Sequence, residues 1–295
     1  MADVFYLNEP KYALYLKKLC SLKRNYPLLK LFSIGRTVQG KKIYALSLGR
    51  MQNPTLFAGA FHAQEWLTQS LLTKFLEELL NEYLRGGEIK KALDRRGVII
   101  IPSVNLDGVE LVLSGGKSAN EYSCFIRKIS KGDLSSWNAN IRGVDLNHNF
   151  DAGHNILRQQ EIKSGITGPA PRQFGGFYPN SEIETRALVS LVRKILPSRV
   201  YAFHSQGEEI FYSYNGITPP KSLLIANTLS KISGYTLVNQ TGLASHGGFK
   251  DYFIKEYNRP GFTIEIGRGK NPLPISELSP IFARLYEMML LGLVV

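Results

Sequence analysis

The sequence predicts an α/β fold in which a mixed, mostly parallel twisted sheet carries helices on both faces. Two features predict it. Extended apolar segments alternate with segments of helical periodicity, and residues 97–104 (GVIIIPSV) form a continuous apolar run, as in a strand covered on both faces. No internal repeat or low-complexity linker divides the chain, so residues 1–295 are predicted to form one domain. Ligand sites in such sheets lie beyond the carboxyl ends of the strands.

Periodicity and turn residues divide the chain into elements. Segments with apolar residues at helical spacing predict helices over 12–28, 66–84, 181–194, 222–233 and 279–291. Extended apolar segments predict strands over 31–34, 42–48, 54–61, 97–104, 199–203 and 261–266. Ser181 and Glu184 have the spacing of a helix-opening capping box. Residues 109–140, which contain SGGK and SKGDLSS, are predicted to form an excursion over the surface.

Composition restricts the class of protein and its partners. The chain is 44% hydrophobic and has a formal net charge of +12, as expected of a globular protein that attracts anionic partners. Because the basic residues are spread along the chain without a nucleic-acid-binding module, an acidic substrate is favoured over nucleic acid. The two cysteines can form at most one disulfide. With neither a signal peptide nor a membrane-spanning apolar run in the sequence, a cytoplasmic location is expected unless an export signal or an anchoring domain has been lost.

The most distinctive stretch is residues 59–69 (GAFHAQEWLTQ), where a predicted strand ends and a helix begins. His62 and Glu65 are separated by two residues, so an imidazole at the strand end and a carboxylate in the first helical turn can converge on one divalent metal. From the pair alone a second interpretation stays open. Glu65 would complement the partial positive charge of a helix amino terminus, and His62 would be a hydrogen-bonded strand-end residue. A third ligand is needed to decide between them.

Two further polar residues stand at the ends of predicted strands. His204 directly follows the strand at 199–203, so we expect it at the same edge of the sheet as His62. Two histidines and one glutamate, with a fourth position open for water, are the ligand pattern of a catalytic zinc site. Glu265 lies in an apolar run (FTIEIG), where a carboxylate is costly without a partner or a chemical role. A buried salt bridge with Arg268 is the alternative to a catalytic role.

An ordered set of motifs resembles the zinc carboxypeptidase family over nearly the whole chain. The matching stretches are SIGRTVQGKKIYALSLG, HAQE, PSVNLDG, RGVDLNHNFDAG, YPNSEIET, FHSQG and GFTIEIG. Within the family, RGVDLN, FHSQGEEI, GGFKDYF and RPGFTIEIGRGKNPLP look most like the γ-D-glutamyl-L-diamino acid endopeptidases, which cut the stem peptides of bacterial peptidoglycan. The resemblance therefore implies a peptidase with the zinc carboxypeptidase fold.

The resemblance also implies a role for each matching residue. One Zn²⁺ per chain would be held by three ligands, His62, Glu65 and His204. Glu265 would be the general base that takes a proton from water. Asp145 matches the carboxylate that orients the first zinc histidine, and such partners set the tautomer and ring angle of a ligand. Asn147 matches the family's substrate-binding asparagine.

The chain departs from the family pattern at positions that would face the substrate. His148 stands where the digestive enzymes have the arginine that binds the substrate's terminal carboxylate, and an imidazole cannot reproduce that two-pronged contact. The flexible tyrosine of the family falls near Leu243. His246 would supply a replacement hydrogen bond or is a solvated loop residue. The arginine that stabilises the oxyanion aligns near Asn138, so Asn138 or Arg142 is expected in that role.

Lys250 is the most informative departure. It aligns, just before Asp251, with the floor of the family's specificity pocket, where the residue type matches the side chain of the substrate. A lysine there predicts an acidic group on the incoming side chain. Meso-diaminopimelate ends its side chain in a zwitterionic centre whose carboxylate could pair with Lys250. The alternative is that Lys250 is a solvated surface residue.

Three functions are consistent with these residues. The first is a zinc peptidase that cleaves γ-D-glutamyl–diaminopimelate bonds in peptidoglycan stem peptides. The second is a zinc carboxypeptidase that removes carboxy-terminal acidic residues from α-linked peptides. The third is a relative that binds anionic peptides without cutting them. Intact His62, Glu65, His204 and Glu265 argue against the third, because a binding protein has no need of all four.

Overall fold

The computed structural model describes residues 3–238 and 246–295, and its elements follow the alternation that the sequence predicts. The helices are α1 (Tyr12–Asn25), α2 (Leu67–Arg85), α3 (Gly87–Arg95), α4 (Leu106–Ser114), α5 (Ser123–Ser130), α6 (His154–Lys163), α7 (Ile183–Ile195), α8 (Ser222–Ser233), α9 (Phe249–Tyr257) and α10 (Leu278–Val294). The strands are β1 (Lys30–Arg36), β2 (Lys42–Leu48), β3 (Thr55–Gly59), β4 (Val98–Ile101), β5 (Arg199–His204), β6 (Glu209–Phe211), β7 (Thr236–Leu237) and β8 (Gly261–Glu265).

The eight strands form one mixed sheet in the order β1-β2-β4-β3-β5-β8-β6-β7. Its four central strands, β4, β3, β5 and β8, run parallel to one another. On the flanks β2 is antiparallel to β4, and β6 is antiparallel to β8. The carboxyl ends of the central strands therefore meet at one edge of the sheet, as the predicted fold class requires.

Helices cover both faces of this sheet, because successive side chains of a buried strand point to opposite sides. In β3, Phe57 belongs to a core cluster that includes leucines of α2 and Met289 of α10. Its neighbour Leu56 belongs to a second cluster with Leu188 of α7 and Phe253 of α9. The two-sided burial explains why β3 and β4 are apolar at every position, and it confirms the predicted layers.

The structure corrects two local predictions. Residues 109–140 are not an irregular excursion, because α4 and α5 lie in and beside this stretch and pack with Trp137 in a third apolar cluster. The predicted capping box at 181–184 does not form: Glu182 is the N-cap residue of α7, and the Ser181 hydroxyl donates to its carboxylate at 2.9 Å. The carboxylate of Glu184 instead accepts a hydrogen bond from the backbone N–H of Val38 at 3.2 Å.

The two cysteines and the helix composition add two further facts. Cys20 and Cys124 are both exposed and free. Within residues 3–238 and 246–295, no helix combines the length and the apolar composition that crossing a membrane requires.

Candidate metal centre and active site

The predicted site residues lie at the carboxyl edge of three adjacent strands. His204 is the last residue of β5 and is paired in register with Glu265, the last residue of β8. His62 follows the end of β3 by three residues and is the N-cap of a short 3₁₀ turn, Ala63–Glu65, that precedes α2. Because β3, β5 and β8 are neighbours in the sheet, residues far apart along the chain converge here.

Two histidine rings face the two oxygens of one glutamate. The His62 Nδ1 atom is 2.8 Å from Glu65 Oε1, and the His204 Nδ1 atom is 2.9 Å from Glu65 Oε2. One potential ligand atom from each of these residues lies within 4.8 Å of the others. Glu65 and His204 are buried, whereas the His62 side chain is 16% exposed, so the group opens toward solvent at His62. The structure thus brings together the three predicted metal ligands.

The hydrogen bonds of His62 test whether a cation fits this group. Its Nε2 atom lies 3.0 Å from Asp145 Oδ1, and a carboxylate accepts only when Nε2 carries the proton. In that tautomer Nδ1 presents a lone pair to a carboxylate oxygen, so two acceptors face each other unless a proton or a cation lies between them. Two imidazole nitrogens and a carboxylate are a donor set that zinc prefers. The residues therefore fit a zinc ion.

The charges of the site depend on one another. Burial alone would raise the pKa of Glu65, but the His62 and His204 rings outweigh it and lower that pKa to about 2. Burial likewise opposes a charge on His62, yet the carboxylates of Glu65 and Asp145 raise the pKa of His62 well above its ordinary value. The site thus stabilises positive charge between its carboxylates, which is the electrostatic requirement of a cation-binding site.

Glu265 lies beside this group with its carboxylate uncommitted. Burial, together with the nearby Glu65 carboxylate, raises the pKa of Glu265 well above its ordinary value. Across the described part of the chain no side chain or backbone N–H bonds to the Glu265 carboxylate. The alternative of a salt bridge with Arg268 is wrong, because the Arg268 Nε atom lies 2.7 Å from Glu208 Oε2. An unbonded carboxyl beside a metal-ligand group is suited to exchange protons with water.

Asp145 is held by several donors in a buried setting. Its Oδ1 atom also accepts from the backbone N–H of Asn147 at 3.1 Å, and its Oδ2 atom accepts from the backbone N–H of Gln173 at 3.1 Å. Burial opposes the charge, but the His62 and His148 rings outweigh it and lower the pKa of Asp145. The carboxylate is therefore ionised and oriented, as its predicted role requires.

Asn147 and Lys250 lie on the two sides of Gly248. Asn147 Oδ1 accepts from the backbone N–H of Phe249 at 3.0 Å, which leaves the Nδ2 group without an acceptor in the described residues. A Cβ at Gly248 would lie 3.6 Å from Asn147 Oδ1 and 2.7 Å from Asp251 Oδ2. The segment that carries Asn147 and the amino terminus of α9 are therefore adjacent.

Lys250 is buried rather than solvated. Its side chain is 2% exposed, and its Nζ atom lies 2.5 Å from Asp251 Oδ1 and donates to the carbonyl of Ser213 at 2.6 Å. The alternative of a surface lysine is wrong. A buried ammonium paired with a carboxylate is a charge that the fold holds in place, as a specificity pocket requires.

The other predicted substrate residues fall in different surroundings. His148 is buried, and its Nδ1 atom lies 3.1 Å from the Gln173 carbonyl and 3.7 Å from Glu161. His246 lies against Tyr214, with its Nδ1 atom 3.3 Å from the tyrosine hydroxyl. These contacts do not test the predicted substrate roles, which stay predictions. The position near Leu243 lies outside the described residues.

The two candidates for oxyanion stabilisation are separated by the structure. The Asn138 carbonyl accepts from the N–H of Ala63, the residue after His62, and its buried Oδ1 atom has no partner in the described residues. Arg142 instead lies 3.6 Å from Glu182 and lines a separate cavity of about 440 Å³. Asn138 is thus adjacent to the metal-ligand group, whereas the Arg142 side chain is directed to the separate cavity.

The sequence reasoning missed two residues beside the ligands. Phe61 stacks on the His204 ring with centroids 5.2 Å apart and an interplanar angle of 17°. Glu209 is the β6 residue paired with Glu265. The acidic pair Glu208–Glu209 in FHSQGEEI was a visible signal, but only the strand register shows which of the two faces the site.

Comparison with known proteins agrees with this geometry. The sequence profile of the zinc carboxypeptidase family matches residues 15–288. The chain is 32% identical over 289 residues to γ-D-glutamyl-L-diamino acid endopeptidase 1 of Lysinibacillus sphaericus, covering 96% of this chain and 72% of that protein. It is 27% identical to carboxypeptidase B of Bos taurus, covering 87% of this chain and 63% of that protein.

Solved structures share the fold. The crystal structure of thrombin-activatable fibrinolysis inhibitor superposes with a TM-score of 0.79 at 20% sequence identity, covering 99% of this chain and 75% of that chain. Sequence and fold thus agree with the ligand set at the edge of the sheet. The chain belongs to the zinc carboxypeptidase family and is a metallopeptidase.

Proposed function

We propose that this metallopeptidase hydrolyses γ-D-glutamyl–diaminopimelate bonds in peptidoglycan stem peptides, with residues 1–295 acting as one catalytic domain. The observation that carries the chemistry is the convergence of His62 Nδ1 and His204 Nδ1 on the two oxygens of Glu65. The similarity to the Lysinibacillus sphaericus endopeptidase supports the class of bond. The buried Lys250 supports an anionic group on the leaving residue.

Zinc would be held by His62, Glu65 and His204, one ion per chain. When bound, zinc lowers the pKa of water toward roughly 7 and polarises the scissile carbonyl. The chain's own residues hold this arrangement, because Asp145 fixes the tautomer of His62, and α2 together with the strand ends fixes the positions of the three ligands.

Glu265 handles the proton in this proposal. Its carboxylate accepts a proton from the attacking water and returns it to the leaving amine of the diamino acid. General acid–base catalysis of this kind contributes about 10²–10⁴-fold to the rate. The pKa of Glu265, raised by burial and by the Glu65 carboxylate, would be lowered again by a divalent cation, which favours the ionised form that accepts the proton.

Lys250 would recognise the side chain of the leaving residue. Its ammonium is already paired with Asp251, so a substrate carboxylate would join a buried pair rather than neutralise a lone charge. Meso-diaminopimelate supplies such a carboxylate at the end of its side chain, whereas lysine lacks it. Asn147, whose Nδ2 group has no acceptor in the described residues, would donate a hydrogen bond to the substrate.

Product analysis tests the reaction. We expect mass spectrometry to show L-Ala-D-Glu and free meso-diaminopimelate after incubation with L-Ala-γ-D-Glu-meso-diaminopimelate, and no products in the presence of a chelator. If the γ-linked peptide stays intact while α-linked peptides lose a carboxy-terminal acidic residue, the enzyme is an acid-specific carboxypeptidase and the proposal is wrong.

A second experiment tests the specificity residue. We expect wild type to prefer the diaminopimelate peptide over its lysine analogue, and Lys250→Met to lose that preference. Lys255→Met, which removes an exposed lysine of the same helix, is the matched control. An unchanged preference in the Lys250 variant would show that another residue reads the side chain.

A further inference from the structure

Glu209 is a charged residue of the site that the proposed reaction does not use. It is paired with Glu265 across the antiparallel strands β6 and β8. Directly opposed residues of antiparallel strands project from the same face of the sheet. The Glu209 carboxylate therefore lies on the face that carries the general base, and it contributes to the raised pKa of Glu265.

The Glu209 carboxylate has no partner within residues 3–238 and 246–295, unlike its neighbour. Glu208 is bonded by two guanidinium groups, with Arg268 at 2.7 Å and Arg284 at 2.6 Å. Glu209 is partly exposed, and its Oε2 atom would lie 3.2 Å from a Cβ at Gly207, three residues after His204. A carboxylate at the rim of the site, beside other carboxylates and without a cation, lacks a charge partner that a substrate could supply.

The opposite charge stands at the other end of the same segment. Lys250 donates to the carbonyl of Ser213, four residues after Glu209. Four residues of extended chain span roughly 13 Å, which is the length of a short peptide rather than of one functional group. The segment 209–213 thus places a negative charge at the rim and a positive charge at the base of the site. A substrate that carries both charges would be held in one orientation.

We propose that Glu209 binds a primary ammonium group of the peptide substrate and sets specificity for peptides that carry one. The inference rests on the proposed function and names a further part of its substrate. Two ammonium groups are available on an L-Ala-γ-D-Glu-meso-diaminopimelate peptide, the free amino terminus and the distal amino group of the diamino acid. If the amino terminus is the partner, peptides whose amino terminus is acylated are poor substrates.

Three peptides separate the two sources. The first is L-Ala-γ-D-Glu-meso-diaminopimelate, the second is its N-acetyl derivative, and the third has hydrogen in place of the distal amino group. Values of kcat/KM are measured for the zinc-loaded wild type, Glu209→Gln, Glu209→Asp and the control Glu88→Gln. Glu88 is an exposed carboxylate on α3, so its variant removes one negative charge far from the site.

We expect wild type and Glu88→Gln to prefer the parent peptide about tenfold over one of the two derivatives, as one charge-assisted hydrogen bond supplies. Glu209→Gln should cleave the two peptides within about twofold of each other, and Glu209→Asp should keep part of the preference. The ratio of two substrates on one variant cancels any change in the proton affinity of Glu265. Loss with the N-acetyl peptide assigns the amino terminus, and loss with the third peptide assigns the distal amino group.

Binding distinguishes failure of this inference from failure of the proposed reaction. The same peptides are titrated into zinc-loaded Glu265→Gln and into Glu265→Gln/Glu209→Gln. If the parent peptide is not cleaved but binds with a preference that Glu209→Gln removes, the reaction is wrong and the ammonium site stands. If neither cleavage nor binding distinguishes the peptides, or if Glu209→Gln keeps the wild-type ratio, the inference is overturned.

Discussion

Replacing Asp145 with asparagine tests the network that orients the metal ligands. Asp145 Oδ1 accepts from His62 Nε2 and from the N–H of Asn147, and Oδ2 accepts from the N–H of Gln173. Asparagine has one acceptor and one donor, so it cannot serve both ends of this network. If its oxygen keeps His62 and Asn147, its NH₂ group faces the N–H of Gln173. In the other orientation it faces a histidine that must then change its tautomer.

The two orientations allow a magnitude to be given. A buried polar group left without its partner costs about 1–3 kcal/mol, so we expect the free energy of unfolding to fall by roughly that amount. Loss of the carboxylate also lowers the basicity of Nδ1 in His62. Mutating such a partner of a metal ligand typically costs about 10–100-fold in metal affinity. We therefore expect the zinc dissociation constant of Asp145→Asn to rise by about that factor.

Competition with a chromophoric chelator measures the zinc affinity, and urea unfolding of the metal-free protein measures stability. Asp151→Asn is the control, because that carboxylate is 55% exposed and pairs only loosely with Lys255 at 3.2 Å. A zinc affinity of folded Asp145→Asn within about twofold of wild type, where 10–100-fold is expected, would refute the idea that Asp145 sets the tautomer of His62.

Three further predictions concern the base, the metal and a buried carboxyl. Glu265→Gln should lower kcat by about 10²–10⁴-fold while zinc stays bound, and near wild-type turnover would require another base. Zinc at about 1,000 times its dissociation constant should add about 4 kcal/mol to the free energy of unfolding, and His204→Ala should lose most of this gain in thermal unfolding. Burial raises the pKa of Glu184 to about 8 from an ordinary value of 4.5, so the folded state keeps a proton that the unfolded chain releases. Its contribution to stability is complete below pH 4.5 and is lost as the pH rises through 8. Glu184→Gln should therefore stabilise the protein by on the order of 1–3 kcal/mol at pH 7 and flatten this pH dependence in urea unfolding, whereas an unchanged slope would place the proton elsewhere.

Local patterns predict the elements whose burial follows directly from their own residues. The predicted bounds of β2 and α8 coincide with the observed Lys42–Leu48 and Ser222–Ser233, because alternation and helical periodicity are properties of the segment itself. Helices α4 and α5 were missed because they are short and separated by glycines and polar residues. Their apolar side chains are stabilised by Trp137, which follows α5 by seven residues and belongs to their cluster.

The site shows the same division. His62, Glu65, His204 and Glu265 are recognisable from sequence, because polar residues at the ends of apolar strands have few structural reasons to be there. Their distances are not, since the order β3-β5-β8 brings together strands that are separated by more than a hundred residues. The pairing of Lys250 with Asp251, and of Arg268 with Glu208, also depends on how α9 and the segment after β8 pack.

The sequence by itself determined the class of fold, the donor types and the residues able to hold zinc, because these follow from side-chain chemistry and from periodicity along the chain. The tertiary structure decided which acidic residue faces the site and which ammonium is buried. Glu208 and Glu209 are adjacent and chemically identical, yet one is bonded to two arginines and the other is opposite Glu265. Strand register makes that choice, and register is set by packing across the whole sheet.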